Sequence, residues 1–464
     1  MKSMKSQSQT EYGRPMLQHF LFDASYRNLN HSSFGAHPRE IQAKLRSYQD
    51  QVEAMPDPFI RYKYSQLVDE SRQAISELLH APVNTVVFVP NATSGLNIVL
   101  RNMQWNKDGM DEILYFSTIY GACGKTVDYI VDSSYGLVSS RPIHLPYPCE
   151  DDDIVACFKD AVHTSKRDGK RPTLCIYDTV SSLPGVRFPF EAMTRTCREL
   201  GVISVIDGAQ GVGMIDINLA DLDPDYFFSN CHKWLYVPRG CAVFYVPLRN
   251  QHLMMSTLPT SHGYVSKAAT RSNSMLTDGK STFVSNFEYT GTIDNSPYLC
   301  VKDSIRWRRE ILGGEEKVFE YLVMLAKEGG QRVAGILGTE VLDNATRTAT
   351  NCAMVNVRLP LAIQHNANQS EEGSHTGQAD GPAKGVVQSK DVERVSDWMM
   401  KTLVDKYRTF IVVYVHGQHL WTRLSAQVYL DTNDFEWAGR ILLELCEKAA
   451  RREYESGPEI DIAS

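Results

Sequence analysis

"FFSNCHKWLYVPRGC" spans residues 227–241 and places one lysine, Lys233, directly after a histidine and among aromatic and apolar neighbours. An ammonium in such surroundings is costly unless it is paired or gives up its proton. Lysine also has a chemical use there, because a desolvated amine can form a Schiff base with an aldehyde. Whether Lys233 is a tolerated charge or a covalent group decides the reading of the whole chain.

Working outward, the apolar run "DYFFSN" (225–230) ends just before His232 and Lys233, and "VISVID" (202–207) ends in Asp207, followed by "GAQG". An acid closing an apolar strand either caps the next turn or faces a ligand, and capping is the commoner fate. Here two successive strands bring an acid and a lysine, 26 residues apart, to one sheet edge. A third element is "VVFVPNATSGLNIVL", in which a strand ends at Val89 and "NATSG" opens a helix. Free N–H groups at that helix start, with the Thr93 and Ser94 hydroxyls, form a cup for phosphate. Alone this would be an ordinary N-cap. Together, the lysine can hold an aldehyde, the acid can keep a pyridine nitrogen protonated, and the helix end can hold a phosphate. Those are the needs of pyridoxal 5′-phosphate.

The rest of the chain supplies a frame for such a site. Apolar runs at 85–89, 112–117, 173–180, 202–207, 225–230 and 241–246 alternate with helical patterns. That alternation predicts a doubly wound α/β domain with a mainly parallel sheet, which holds ligands at the carboxyl ends of its strands. Two helices, split by "PDP", are expected between Ile41 and Leu79. The reading divides the chain into a disordered tail (1–18), a large domain (19–296), a small α+β domain (297–455) and a tail (456–464). Within the small domain, the polar stretch 364–384, rich in Gly, Ser, Asn and Gln, reads as a disordered insertion.

The ordered set "NATSGLN", "VIDGAQGVG" and "SNCHKWLYVPRG" resembles the fold type I pyridoxal-phosphate enzymes, and more narrowly the class V aminotransferase family. The likeness runs over roughly residues 25–450. It implies Lys233 as the Schiff-base lysine, Asp207 as the partner of the pyridine nitrogen and Gln210 as a donor to the ring hydroxyl. Ala92 and Thr93 would hold the phosphate with His232 beside it. Ser182, in "YDTVSSLPGVRFP", stands where many relatives carry an Asn near the ring hydroxyl. "FEYTGTIDNSP" resembles the family's Gly-Thr turn, so Thr292 would reach the phosphate of a neighbouring subunit in a homodimer. "TRLSAQVYL" makes Arg423 the grip for a substrate carboxylate, and "RNLNHSSFGAHP" nominates Asn30, His31 and Ser33 for the same pocket.

The fold type does not fix the reaction. Longer stretches, among them "FSTIYGACGKTVDYI", "STLPTSHGYV" and "RLSAQVYLDTNDFEWAGR", are similar to the fungal C–S lyases of ergothioneine biosynthesis, which cleave hercynylcysteine sulfoxide. Ser32 departs from that pattern, which has Gly. The likeness implies β-elimination, with Tyr120 as the acid at the leaving sulfur. The substrate's trimethylammonium would seek an aromatic face, with Phe34, Phe287, Tyr289 and Trp421 as candidates. Cysteine desulfuration and isopenicillin N epimerase-like chemistry stay open as alternatives. Desulfuration needs a mobile nucleophilic cysteine, whereas Cys300 and Cys352 lie in apolar patterns.

Bulk properties set the outer bounds. A net charge of −7 gives no general electrostatic case for nucleic acid. No apolar run is long enough for a membrane span, and "MKSMKSQSQTEYGRPM" lacks the apolar core of a signal peptide. The ten cysteines form no CxxC pair, which leaves no metal site to expect and fits a reducing cytoplasm.

Overall fold

The computed structural model describes residues 9–264, 266, 279–364 and 384–455. Its large sheet has seven strands: β1 (Val86–Val89), β2 (Asp111–Phe116), β3 (Val138–Ile143), β4 (Arg171–Asp178), β5 (Ile203–Asp207), β6 (Tyr226–Asn230) and β7 (Ala242–Tyr245). They lie in the order β1-β7-β6-β5-β4-β2-β3. Strand β7 is antiparallel to both neighbours, and the other pairings are parallel. The central strands are apolar on both faces because helices cover both, as parallel crossovers require.

A smaller sheet follows, built from β8 (Met354–Gln364), β9 (Gly385–Gln388), β10 (Val412–His416) and β11 (His419–Ser425) in the order β10-β11-β8-β9. The long helices Glu315–Leu337 and Thr432–Ala450 pack on it. Gly329 lets the two helices also meet each other, since a Cβ there would lie 2.4 Å from the ring of Phe435 on the second. This is the expected α/β architecture with a mainly parallel seven-stranded sheet.

Several local expectations shift. Sequence periodicity passes over β3, "VSSRPI", because an edge strand with four of six positions only partly buried or exposed carries no continuous apolar run. The short β9 is passed over as well. The break between the first two long helices falls at Met55, whose φ of −151° and ψ of 77° leave the helical region. Pro56–Pro58 then opens the next helical segment, where a proline's missing N–H is harmless.

The expected disordered tail is too long. Residues 1–8 lie outside the described residues, but the stretch from Gln9 onward is anchored to the C-terminal part of the chain. Gly13 donates its N–H to Val428 O at 2.7 Å, Tyr12 donates to Leu312 O at 2.7 Å, and Met16 is fully buried. One buried methionine and two long-range hydrogen bonds outweigh the polar composition. Between Gln364 and Lys384 the expected insertion lies outside the described residues, as do 456–464. No helix among the described residues is long and apolar enough to cross a membrane.

Candidate active site

Strands β4, β5 and β6 end in Asp178, Asp207 and Asn230, side by side at the carboxyl edge of the sheet. Strand β6 runs straight into the short helix Cys231–Trp234, which carries His232 and Lys233. The helix Ala92–Asn102 begins just after β1. All these elements open on one cavity of about 240 Å³, lined by both aspartates, Thr93, Asn230, His232 and Lys233.

The N-terminal segment closes over the lysine turn. Gly35 has φ of +64°, and a Cβ there would sit 1.8 Å from the His232 carbonyl oxygen, so only glycine lets the segment lie this close. Three successive carbonyls of the turn are then held by side chains. His31 Nε2 donates to Lys233 O at 2.7 Å, Arg308 Nη1 donates to Trp234 O at 2.8 Å, and the Ser304 hydroxyl donates to Leu235 O. A carbonyl only accepts, so His31 carries its hydrogen on Nε2, and its Nδ1 accepts from Tyr429 Oη at 3.0 Å. Burial pulls the pKa of His31 down to about 3, so the ring is neutral. His31 was expected in the substrate pocket. Instead it is enclosed, and it fixes the backbone of Lys233.

Burial also pulls the amine of Lys233 down to about 8, against the opposing pull of Asp207. A substantial fraction of neutral amine is therefore present near neutral pH, as a nucleophile or base requires. Asp207 accepts from Ala209 N at 2.9 Å and from Cys123 Sγ at 3.3 Å. Burial raises its carboxyl above the usual range, while those bonds and Lys233 oppose the rise. Asp178 faces Asp207 across the parallel register and is raised well above the usual range by burial and by its neighbour's charge. Sequence reasoning missed Asp178 because it ran that strand on to residue 180. The strand ends at Asp178 itself, and a polar residue interrupting "LCIY…TV" was the available signal.

At the helix start, the Asn91 side chain caps Ser94 N at 2.8 Å. The N–H of Ala92, expected at the phosphate, donates to Asn230 Oδ1 at 2.9 Å, and Thr93 lines the cavity. His232 donates Nδ1–H to Cys241 O at 3.0 Å, and burial lowers its pKa to about 4, leaving Nε2 without a hydrogen. Gln210 donates to Ser32 O at 3.0 Å and accepts from Trp234 Nε1 at 2.7 Å, which leaves one amide hydrogen uncommitted.

Arg423 lies on β11 with only 2% of its surface exposed. Its Nη1 donates to Ser182 O at 2.7 Å and Ser182 Oγ at 3.3 Å, and its Nη2 to Asn30 Oδ1 at 2.9 Å and Ser33 Oγ at 3.0 Å. Its Nε has no partner among the described residues. Every acceptor is neutral, and burial lowers the guanidinium to about 10. Asn30, Ser33, Ser182 and Arg423 thus come together, and Ser182 belongs to this cluster as well as to the cavity wall.

Tyr120 stands half-exposed on the cavity wall, at the start of the helix Gly121–Ser133. Of the four aromatic candidates, Phe34 alone lines the cavity. Phe287 is buried against Phe244 and Phe283, Trp421 is buried with its indole N–H on His416 O, and Tyr289 donates to Thr292 Oγ1 at 2.9 Å. Thr292 lines a separate hollow with Ile293 and Asn295.

The donor set suits pyridoxal phosphate. A helix N-terminus would hold the phosphate, a buried carboxylate backed by two donors would hold the ring nitrogen, and an amine poised near neutrality would take the aldehyde.

Residues 39–122 and 162–357 match the Aminotransferase class-V family. The chain is 38% identical over 457 residues to the L-cysteine desulfhydrase-like protein lolT1 of Epichloe uncinata, covering 95% of this chain and 97% of that one. It is 27% identical over 435 residues to the hercynylcysteine sulfoxide lyase of Schizosaccharomyces pombe, covering 94% and 98%. Among solved structures, its fold matches the cystine C–S lyase C-DES with a TM-score of 0.68 at 17% identity, over 94% of this chain and 99% of that one. The chain belongs to the class V aminotransferase family of pyridoxal-phosphate enzymes.

Proposed function

We propose that this enzyme is a carbon–sulfur lyase that cleaves hercynylcysteine sulfoxide by β-elimination, giving pyruvate, ammonia and a sulfenic acid that goes on to ergothioneine. The observation that carries the reading is Arg423, a buried cation without an acid partner among the described residues, close to a lysine whose amine is partly neutral. That pair supports an α-amino acid held by its carboxylate beside a base. The choice of sulfoxide rests on the extended likeness to a relative bearing that lyase name.

In this reading Arg423 takes the substrate carboxylate, and Asn30, Ser33 and Ser182 keep the guanidinium oriented for it. Thr93 and the helix start bind the phosphate, and Asp207 holds a proton at the ring nitrogen. Lys233 Nζ removes the proton from Cα. Bound pyridoxal phosphate supplies the sink for the electrons left there. Tyr120 gives its phenolic proton to the sulfur-bound oxygen as the Cβ–S bond breaks, so sulfur leaves with the bonding pair as a sulfenic acid. The three-carbon fragment hydrolyses to pyruvate and ammonia, and two external thiols, oxidised together to a disulfide with release of water, reduce the sulfenic acid to the thione outside this site.

A homodimer is part of the proposal. Within its own chain Thr292 lines a hollow apart from the Lys233 cavity, so it serves a phosphate only in a second copy. The second reading is cysteine desulfhydration, which the 38% identity to a protein of that name favours. Both are tested by supplying hercynylcysteine sulfoxide and L-cysteine separately and following pyruvate and sulfide. The lyase reading expects kcat/KM far higher for the sulfoxide. Equal or faster turnover of cysteine overturns it. Persulfide-forming desulfuration has less support, because Cys300 and Cys352 are buried and no cysteine lines the cavity.

A further inference from the structure

Lys233, Asp207 and the helix start have uses in this site, but one buried acid does not. Asp178 ends β4 directly opposite Asp207 in parallel register, which sets the two backbones about 4.8 Å apart. Both side chains leave the same face of the sheet, and both line the cavity. Asp178 is 8% exposed and accepts no hydrogen bond from any described residue, whereas Asp207 accepts from Ala209 and Cys123. Two buried carboxyls this close do not both ionise. Asp207, with its two donors, keeps the charge, and Asp178 keeps the proton. The direction of the shift at Asp178, well above the usual range, agrees.

A protonated carboxyl donates, while a carboxylate only accepts. The sheet order shows what lies within reach. The helix that starts after β1 is on the β6 side of Asp207, and Asp178 is on the other side. On a pyridine ring held at its nitrogen by Asp207, the phosphate arm and the ring oxygen lie on opposite sides of the nitrogen. If the phosphate takes the helix side, the ring oxygen falls on the side of β4. Of the two side chains the family likeness assigns to that oxygen, the Ser182 hydroxyl already accepts from Arg423, and Gln210 gives one of its two amide hydrogens to Ser32, so Asp178 would add a donor there beside them.

We propose that Asp178 is a second cofactor-facing acid, which donates a hydrogen bond to the ring oxygen of bound pyridoxal phosphate. The inference rests on the pyridoxal-phosphate site, and not on the identity of the substrate. The test is titration of the apo-protein with pyridoxal phosphate, followed by the visible band and its pH midpoint. Asp178→Asn, which retains a donor, should bind within about threefold of wild type, with the band unmoved. Asp178→Ala and the isosteric Asp178→Leu should bind about tenfold more weakly and shift the pH midpoint. The Leu variant serves where the Ala variant does not fold. Wild-type affinity and spectrum in a variant lacking the donor overturn the proposal. So does an Asn variant as impaired as the Ala one, because that result requires an ionised Asp178. A wild-type protein that takes up no cofactor overturns the site itself, and is distinct from either.

Discussion

Arg308 and Arg423 are both buried, and their partners are opposite in kind. Arg308 donates through Nε to Glu315 at 2.7 Å, spans the carbonyls of Trp234 and Gly213, and lies 5.2 Å over the ring of Tyr236. Burial alone would lower its pKa, but Glu315 reverses the sign. Among the described residues Arg423 has only neutral oxygens around it, and there burial wins. The first cation brings its own acid and serves as architecture for the lysine turn. The second is desolvated and oriented without a counter-charge, so an anionic ligand is its natural completion.

The sharpest way to break that contrast is to remove each charge. Arg308→Met strands Glu315 and two buried carbonyls, and should cost about 3–5 kcal/mol of stability in denaturant melts. Arg423→Met removes a buried charge with no acid partner among the described residues, but takes the donor from Ser182 O and Asn30 Oδ1. It should cost the melt clearly less than Arg308→Met, while costing about 2–5 kcal/mol in kcat/KM. If Arg423→Met melts early with kcat/KM intact, Arg423 is architecture too. Tyr120 comes next. Tyr120→Phe should slow elimination by about 10² while leaving the cofactor band in place. Unchanged turnover makes it a packing residue.

A smaller effect is expected from pH. Folding lowers the Lys233 pKa, so its ammonium form prevails below pH 8 and the neutral amine above it. Stopped-flow capture of pyridoxal phosphate by the apo-protein should slow about tenfold for each unit below pH 8 and level off above it. A rate still climbing past pH 10 would mean that the pocket does not tune this lysine. The smallest effect belongs to Thr292→Val, which should weaken cofactor binding by about threefold to tenfold. If light scattering finds a monomer with full cofactor affinity, the shared-site proposal fails.

Much of this site was legible in the sequence because its chemistry sits where apolar runs stop. Asp207 and Lys233 stand at such stops, and a helix start such as "NATSG" announces itself. What stayed hidden depends on neighbours that are distant in sequence. His31 looks like a pocket residue until Tyr429, some 400 positions away, and the Lys233 carbonyl claim its two nitrogens. Asp178 was buried in a run read as two residues too long. Ala92 looked free until Asn230 took its N–H. The tail from Gln9 onward is polar, and its contacts with distant Leu312 and Val428, together with buried Met16, hold it down.

The central claim is that Lys233 is the covalent anchor, and trapping tests it most directly. Borohydride reduction of the yellow holoprotein, followed by peptide mapping, should place the pyridoxyl group on the peptide that carries Lys233 and bleach the visible band. Lys233→Ala should give no such adduct. A pyridoxyl group on another lysine, or none in a protein saturated with cofactor, would contradict the account.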